Sequence, residues 1–365
     1  MPEKQLDILY EGKPCYDIML EQDYGALGER VERMGLKSRK ICIVTDTNVA
    51  KYHASAVEKV CAKAAGKVVT FPFPAGEASK NLETVQSLYA FLIKEGFDRG
   101  DVLAALGGGV VGDLTGFAAA TYLRGIRFFQ LPTSLLSMVD SSIGGKTGVD
   151  FKAYKNMVGA FYMPQFVYMN ISALMTLPEA EYRSGFGEII KHGLIRDKAF
   201  YEWLVQNRSG LLGRNGAPVT EMVYRSLLVK KAVVERDPKE KGERALLNFG
   251  HTVGHAVEKL KNFSLLHGEC VSVGMAAAGH ICFQRGILSG EDLDGILSVL
   301  GAFGLPVSTS GLDVSDILNA VTKDKKMDAG QIRFVLLKEI GDACIDTTVT
   351  RQEMTEACKY ILGSV

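Results

Sequence analysis

Five short apolar runs fall between residues 41 and 169, and after Pro178 such runs almost vanish. Ile41–Thr45, Lys67–Phe71, Val102–Leu106, Arg127–Leu131 and Phe166–Met169 each have strand length and strand composition. Helical patterns stand between several of them, over 54–65, 82–95 and up to Ala120. Strands that alternate with helices predict a mostly parallel sheet with helices on its faces, an α/β Rossmann-like arrangement. From Glu179 onward the pattern is helical: 179–195, 198–207, 219–235, 243–261, 269–285 and 292–303. A strand-like pair, 331–337 with 343–349, and a last helix over 352–362 complete the chain. The expectation is an N-terminal α/β domain over 1–177 and a mostly α-helical C-terminal domain over 178–365, with the change at Thr176-Leu-Pro178. A length of 365 residues fits two domains.

Charge excludes some partners. Lysine plus arginine equals aspartate plus glutamate, 42 each, so the chain has no basic field for nucleic acid or an anionic membrane. No window approaches ~20 uninterrupted apolar residues, so no membrane span is expected. The first thirty residues carry Glu3, Lys4, Asp7, Glu11 and Lys13 and no apolar signal core. Seven scattered cysteines without a CxxC pair fit a reducing cytosol rather than a disulfide framework.

Ligands of parallel sheets bind beyond the carboxyl ends of the strands. After Val102–Leu106 comes Gly107-Gly-Gly-Val-Val-Gly112-Asp113 and then a helix. Gly107, Gly109 and Gly112 match G-x-G-x-x-G in its strand–turn–helix setting, where bare backbone can approach a pyrophosphate at a helix N-terminus. The acidic residue ~20 positions on that usually meets the ribose is missing. A tight turn that only packs a helix closely has the same glycines. Further on, Asp140-Ser-Ser-Ile-Gly-Gly-Lys146-Thr-Gly-Val-Asp150, with Lys155-Asn156 behind it, joins glycines, hydroxyls and lysines. That mixture suits an anion, although the Walker spacing fails.

Three of the six histidines, His251, His255 and His267, lie close together in the helical half. A helix through this stretch would place Arg244, Asn248, His251 and His255 on one stripe and Val253, Ala256, Val257 and Leu260 on the other face. Glu188 and Lys191, one turn apart in Gly185-Phe-Gly-Glu-Ile-Ile-Lys-His192, lie in an apolar setting. Glu188 with two of the three histidines could hold a zinc-like ion and leave one position open, as catalytic zinc sites do. Spacing does not say which two; the i, i+4 pair His251/His255 is the nearest choice. Hydrogen-bonded core histidines would show the same residues. Nucleotide on one domain, metal on the other and anion-binding cations between them describe a two-domain enzyme with its site in the cleft.

The ordered set of segments resembles the 3-dehydroquinate synthase family of the shikimate pathway. It comprises Gly107-Gly-Gly-Val-Val-Gly-Asp-Leu-Thr-Gly116, Pro132-Thr-Ser-Leu-Leu136, Val139-Asp-Ser-Ser-Ile-Gly-Gly-Lys-Thr-Gly148, Glu188-Ile-Ile-Lys191, Leu246-Leu-Asn-Phe-Gly-His-Thr-Val-Gly-His255, Leu266-His-Gly-Glu269 and Asp324-Lys-Lys326. Each segment is weak alone; their order, over about residues 40 to 340, is specific. The resemblance implies conversion of 3-deoxy-D-arabino-heptulosonate 7-phosphate to 3-dehydroquinate and phosphate, with catalytic NAD+ and a divalent ion, Zn2+ or Co2+, in a cytoplasmic homodimer. It implies the metal ligands Glu188, His251 and His267, so that His255 faces the substrate instead. It assigns NAD+ to Asp46, Asn48, Glu77, Lys80, Gly108, Gly109, Val110, Asp113, Thr133, Ser134 and Lys155. It assigns the substrate to Asp140, Lys146, Asn156, Lys191, Lys230, Arg244, Asn248, His255 and Lys326, with Arg124 reaching a neighbouring subunit's substrate. Departures are small: Gly187 stands where alanine is common, Ser134 where threonine is frequent, and Asp150 where asparagine often ends its motif. Another sugar phosphate cyclase or a metal-dependent polyol dehydrogenase would share much of this pattern.

Overall fold

The computed structural model describes residues 4–152, 154–240, 242–325 and 332–363. The chain divides into two compact units, one of Met1–Pro178 with Val219–Tyr224, the other of Glu179–Pro218 with Arg225–Val365.

The first unit is built on a seven-stranded sheet. Its strands are β1 (Lys4–Tyr10), β2 (Lys13–Glu21), β3 (Lys40–Asp46), β4 (Lys67–Phe73), β5 (Val102–Gly107), β6 (Arg127–Pro132) and β9 (Phe166–Asn170), and a separate hairpin pairs β7 (Lys146–Phe151) with β8 (Tyr154–Phe161). The sheet order is β1-β2-β9-β6-β5-β3-β4. Among the described residues of this sheet, only the β1/β2 pair is antiparallel. Helices α1 (Leu27–Glu32), α2 (Thr47–Val49), α3 (Ser55–Cys61), α4 (Leu82–Lys94) and α5 (Gly109–Thr121) connect them.

The continuous apolar runs follow from burial on both faces. Cys42 and Val44 of β3 join Leu103 and Ala105 of β5 in a core with Leu88 of α4 and Leu114 of α5. The alternate residues Ile41, Ile43, Val102, Ala104 and Leu106 point to a second core with Val31, Val57 and Phe129. Period-2 side-chain alternation thus fills two layers from one sequence run.

The second unit is helical. It holds α6 (Glu179–Arg196), α7 (Lys198–Leu212), most of α8 (Gly216–Arg236), α9 (His251–Leu260), α10 (His267–Gln284), α11 (Gly290–Ala302), α12 (Val314–Lys325) and α13 (Arg351–Ile361), with one hairpin of β10 (Phe334–Glu339) and β11 (Asp342–Asp346). The sheet unit and the helical unit are the fold class the sequence implied. No helix among the described residues is long and apolar enough to cross a membrane.

Three local expectations need correction. The helical pattern over 243–261 is not one helix: a 3-10 turn at Glu243–Asn248 ends, Gly250 adopts φ +79, and α9 starts afresh at His251. The left-handed backbone is accessible to glycine, and a Cβ there would lie 2.6 Å from the Val271 carbonyl. The stretch from Lys146, where the sequence pattern indicates no strand, forms the β7–β8 hairpin. Residues 4–21, read only as charged, form the sheet's antiparallel pair.

Candidate active site

In the sheet unit, parallel register brings strand ends together. Asp46 ends β3 opposite Phe73 of β4, and Gly107 ends β5 opposite Pro132 of β6. Asp46, Asn48, Gly108, Gly109, Val110, Asp113, Thr133 and Ser134 therefore lie at or just beyond one carboxyl edge, where ligands of such sheets bind. Asp46 caps α2, accepting from the Asn48 and Val49 amides at 2.7 and 3.0 Å. Gly108 precedes α5, and a Cβ on it would sit 3.2 Å from Ser134 Oγ. Gly107 has a packing task as well, because its Cβ would meet Val111 at 2.4 Å.

Lys80 ties this edge to the hairpin. Its buried Nζ donates to Asp113 Oδ2 and to Asn156 Oδ1, both at 2.6 Å. Burial works against the ammonium, but Asp113, Glu77 and Asp150 outweigh it and raise its pKa. Asn156 holds a left-handed φ of +54 that asparagine tolerates, and its amide donates to Asp150 Oδ1 at 2.8 Å. Lys155 Nζ lies 3.8 Å from Glu77 Oε1. Lys146 opens β7, Asp140 lies in a helical turn at Ser137–Ser141, and exposed Arg124 follows Leu123 at a turn where both have positive φ.

In the helical unit, three helices meet at a carboxylate. Glu188 and Lys191 of α6 are both buried and form an ion pair through Glu188 Oε2. Among the described residues the other oxygen, Oε1, is buried with no hydrogen-bond partner. It lies 3.6 Å from Nε2 of His251 and 3.6 Å from Nε2 of His267. These two histidines are the first residues of α9 and α10. The approach is backbone against backbone. A Cβ on Gly187 would fall 2.5 Å from the Gly268 carbonyl, and one on Gly268 would fall 1.8 Å from the Ser184 carbonyl. The Gly268 amide also donates to Ser184 Oγ at 3.0 Å. So a glycine adjoins each of Glu188, His251 and His267.

Electrostatics follow the geometry. Burial would raise the Glu188 carboxyl, but Lys191 with the two imidazoles holds it well below its usual range. Burial and then the Lys191 charge drive His251 far down, which leaves a neutral imidazole. For His267 burial is outweighed by the pull of Glu188 and Glu258, and the ring is carried up to about 9. A divalent cation bound there displaces that proton.

A divalent ion fits these residues. Ligand atoms about 2.1 Å from a tetrahedral ion lie about 3.4 Å apart, close to the 3.6 Å separations here. A buried carboxylate oxygen with no hydrogen bond is costly unless something positive meets it. His255 is exposed, with its ring centroid 5.0 Å from His251 and 5.9 Å from His267, and the ligand atoms of all three histidines lie within 4.8 Å of one another. Lys230 of α8 and Arg244 are buried; Arg244 Nη1 donates to the Pro238 carbonyl at 2.7 Å. Asn248 Nδ2 lies 3.4 Å from Glu240 Oε1. Lys326 lies outside the described residues. One further group, outside the residues expected from the sequence, stands beside this set: Glu258, buried on α9 with Oε2 3.6 Å from His267 Nδ1. Its signal was a carboxylate two turns after His251 beside Ala256-Val257.

Residues 70–184 match the family model described as 3-dehydroquinate synthase N-terminal, and 185–327 the one described as 3-dehydroquinate synthase C-terminal. The chain is 44% identical over 349 residues to a 3-dehydroquinate synthase of Acetivibrio thermocellus, covering 95% of this chain and 96% of that protein. Among solved structures it is similar to a 2-epi-5-epi-valiolone synthase of Streptomyces hygroscopicus with NAD+ and Zn2+ bound: TM-score 0.86, 26% identity, 96% of this chain and 97% of that one. A 2-deoxy-scyllo-inosose synthase complexed with carbaglucose-6-phosphate, NAD+ and Co2+ shares the fold at TM-score 0.87 and 24% identity, over 98% of this chain and 100% of that one.

Proposed function

The chain belongs to the 3-dehydroquinate synthase family, and from that premise we propose that it converts 3-deoxy-D-arabino-heptulosonate 7-phosphate to 3-dehydroquinate and inorganic phosphate. NAD+ and a divalent cation, zinc or cobalt, are its cofactors. The observation that carries this reading is Glu188 Oε1, buried, with no hydrogen-bond partner among the described residues, and 3.6 Å from two imidazole Nε2 atoms. When bound, the cation supplies Lewis acidity to a substrate hydroxyl, and NAD+ supplies a hydride acceptor that is regenerated within the turnover.

The residues take the following parts. Glu188, His251 and His267 hold the cation. At the carboxyl edge of the sheet, Gly108, Gly109 and Val110 present backbone N–H groups at the start of α5 to the NAD+ pyrophosphate. Asp46, Asn48, Glu77, Lys80, Asp113, Thr133, Ser134 and Lys155 bind the rest of that cofactor. The cations Lys146, Lys191, Lys230, Arg244 and Lys326 balance the carboxylate and phosphate of the sugar, and Asp140, Asn156 and Asn248 orient its hydroxyls. His255, exposed beside the two ligand histidines, takes and returns a proton at an imidazole nitrogen. Phosphate elimination makes the enzyme a carbon–oxygen lyase. We assign it to the cytoplasm as a homodimer in which Arg124 serves the other subunit's substrate phosphate.

Purified protein supplied with NAD+ and Zn2+ is offered 3-deoxy-D-arabino-heptulosonate 7-phosphate, sedoheptulose 7-phosphate and glucose 6-phosphate in turn. The expected result is phosphate release from the first without net reduced nicotinamide. Turnover of sedoheptulose 7-phosphate alone, or net NADH from a simple polyol, would overturn the assignment.

A further inference from the structure

The three ligand groups of the cation corner are not held alike. Glu188 is fixed by the Lys191 ion pair through Oε2, which leaves Oε1 for the cation. His251 Nδ1 lies 3.1 Å from the Phe249 carbonyl. A carbonyl only accepts, so Nδ1 carries the hydrogen and Nε2 offers its lone pair. His267 has a carboxylate in the corresponding place, with Glu258 Oε2 3.6 Å from its Nδ1.

We propose that Glu258 is the positioning residue of the cation site, its carboxylate fixing the tautomer and ring orientation of His267. This rests on reading Glu188, His251 and His267 as the ligands. Glu258 is only 5% exposed, between buried Val257 and the end of α9. A buried carboxylate is costly unless it meets a positive or donor group, and the His267 imidazole supplies one at Nδ1. Glu258 is not a fourth ligand: it addresses Nδ1, whereas Nε2 of the same ring addresses Glu188. The 3.6 Å separation is an ion-pair distance, longer than a hydrogen bond. A carboxylate on the far nitrogen of a ligating histidine selects the tautomer and strengthens the donor.

The test uses the full-length enzyme stripped of metal. Zn2+ affinity is measured by competition with a chromophoric chelator for the parent, Glu258→Gln and Glu258→Ala, alongside the melting temperature of each metal-free protein. Affinity is expected to fall about 10- to 100-fold in Glu258→Ala. A smaller fall is expected in Glu258→Gln, whose amide oxygen keeps an acceptor facing Nδ1, with metal-free melting unchanged. In the Co2+-loaded variants the visible absorption bands should shift as the ligand field distorts. Parent-like affinity in both variants, or losses that only track lower metal-free melting, would overturn the proposal. Should Glu258→Ala not fold, the near-isosteric Glu258→Gln decides: weaker zinc with unchanged melting supports it and parent-like zinc overturns it. A parent that takes up no zinc would instead sink the cation-site reading.

Discussion

The carboxyl edge of the sheet and the corner where α6, α9 and α10 meet both gather polar groups, but by different means. At the sheet edge, register does the gathering. Once β3, β4, β5 and β6 lie parallel, Asp46, Gly107 and Pro132 must end side by side, and Lys80 links that edge to Asn156 through a charge it shares with Asp113. At the helical corner no ladder sets the spacing. The helices close on Glu188 because Gly187, Gly250 and Gly268 lack the Cβ atoms that would keep the backbones apart. A sheet edge tolerates side-chain change because its frame is hydrogen-bonded elsewhere. A corner made by contact between backbones has no such reserve.

Variants can separate the two regions. Glu188→Ala should have the largest effect, removing bound cation and turnover together. It leaves Lys191 buried without its carboxylate, a loss of about 3–5 kcal/mol in a buried pair, read by denaturant unfolding. NAD+ affinity, measured by fluorescence titration, should stay near the parent's, and a parallel loss of NAD+ would break the comparison. Lys80→Met is the reciprocal change. It should weaken NAD+ binding and lower stability by roughly 2–3 kcal/mol, since Asp113 stays partly solvated, while metal content holds.

Gly268→Ala sharpens the claim about backbone contact. Its Cβ would meet the Ser184 carbonyl at 1.8 Å, so overpacking should cost about 1–3 kcal/mol and weaken zinc retention. An unchanged metal affinity would show that the close approach is not what places His267. The smallest effect concerns the rim of the helical unit. Hydrogen bonds from Arg285 hold Glu353 down to about 2 against an ordinary 4.5. The sign is that of a depressed carboxyl: its contribution is present above pH 4.5 and is lost as pH falls toward 2. The pair is partly solvated, so acid unfolding curves of parent and Glu353→Gln should differ by no more than about 1 kcal/mol, with metal binding at neutral pH alike in both.

The two regions also differed in how far they could be read from sequence. Apolar runs of strand length and a glycine turn are local signals, and they located β3 to β6, β9 and the start of α5. The helical corner is not local. Between Arg244 and His255 the chain shows a helical period, so one continuous stripe was expected. The break at Phe249-Gly250 is imposed by α10, whose Val271 carbonyl occupies the space beside Gly250. For the same reason spacing paired His251 with His255. No helical period connects His251 to His267, and only the family resemblance chose that histidine over His255 as the ligand. The β1/β2 pair carries no apolar run: in β1 Leu6 and Ile8 alternate with exposed Gln5 and Asp7, and in β2 the charged Asp17 stands among the buried residues. Glu258 was missed because a lone glutamate on a helix is usually a solvated one.

Metal content of His255→Ala set beside His251→Ala tests the division of the histidines most directly. Each protein is purified, dialysed against a mild chelator and analysed for zinc, with turnover measured on the same sample. His255→Ala is expected to keep its zinc and lose turnover, and His251→Ala to lose both. Zinc lost from His255→Ala and kept by His251→Ala would contradict the assignment of Glu188, His251 and His267 as the ligands.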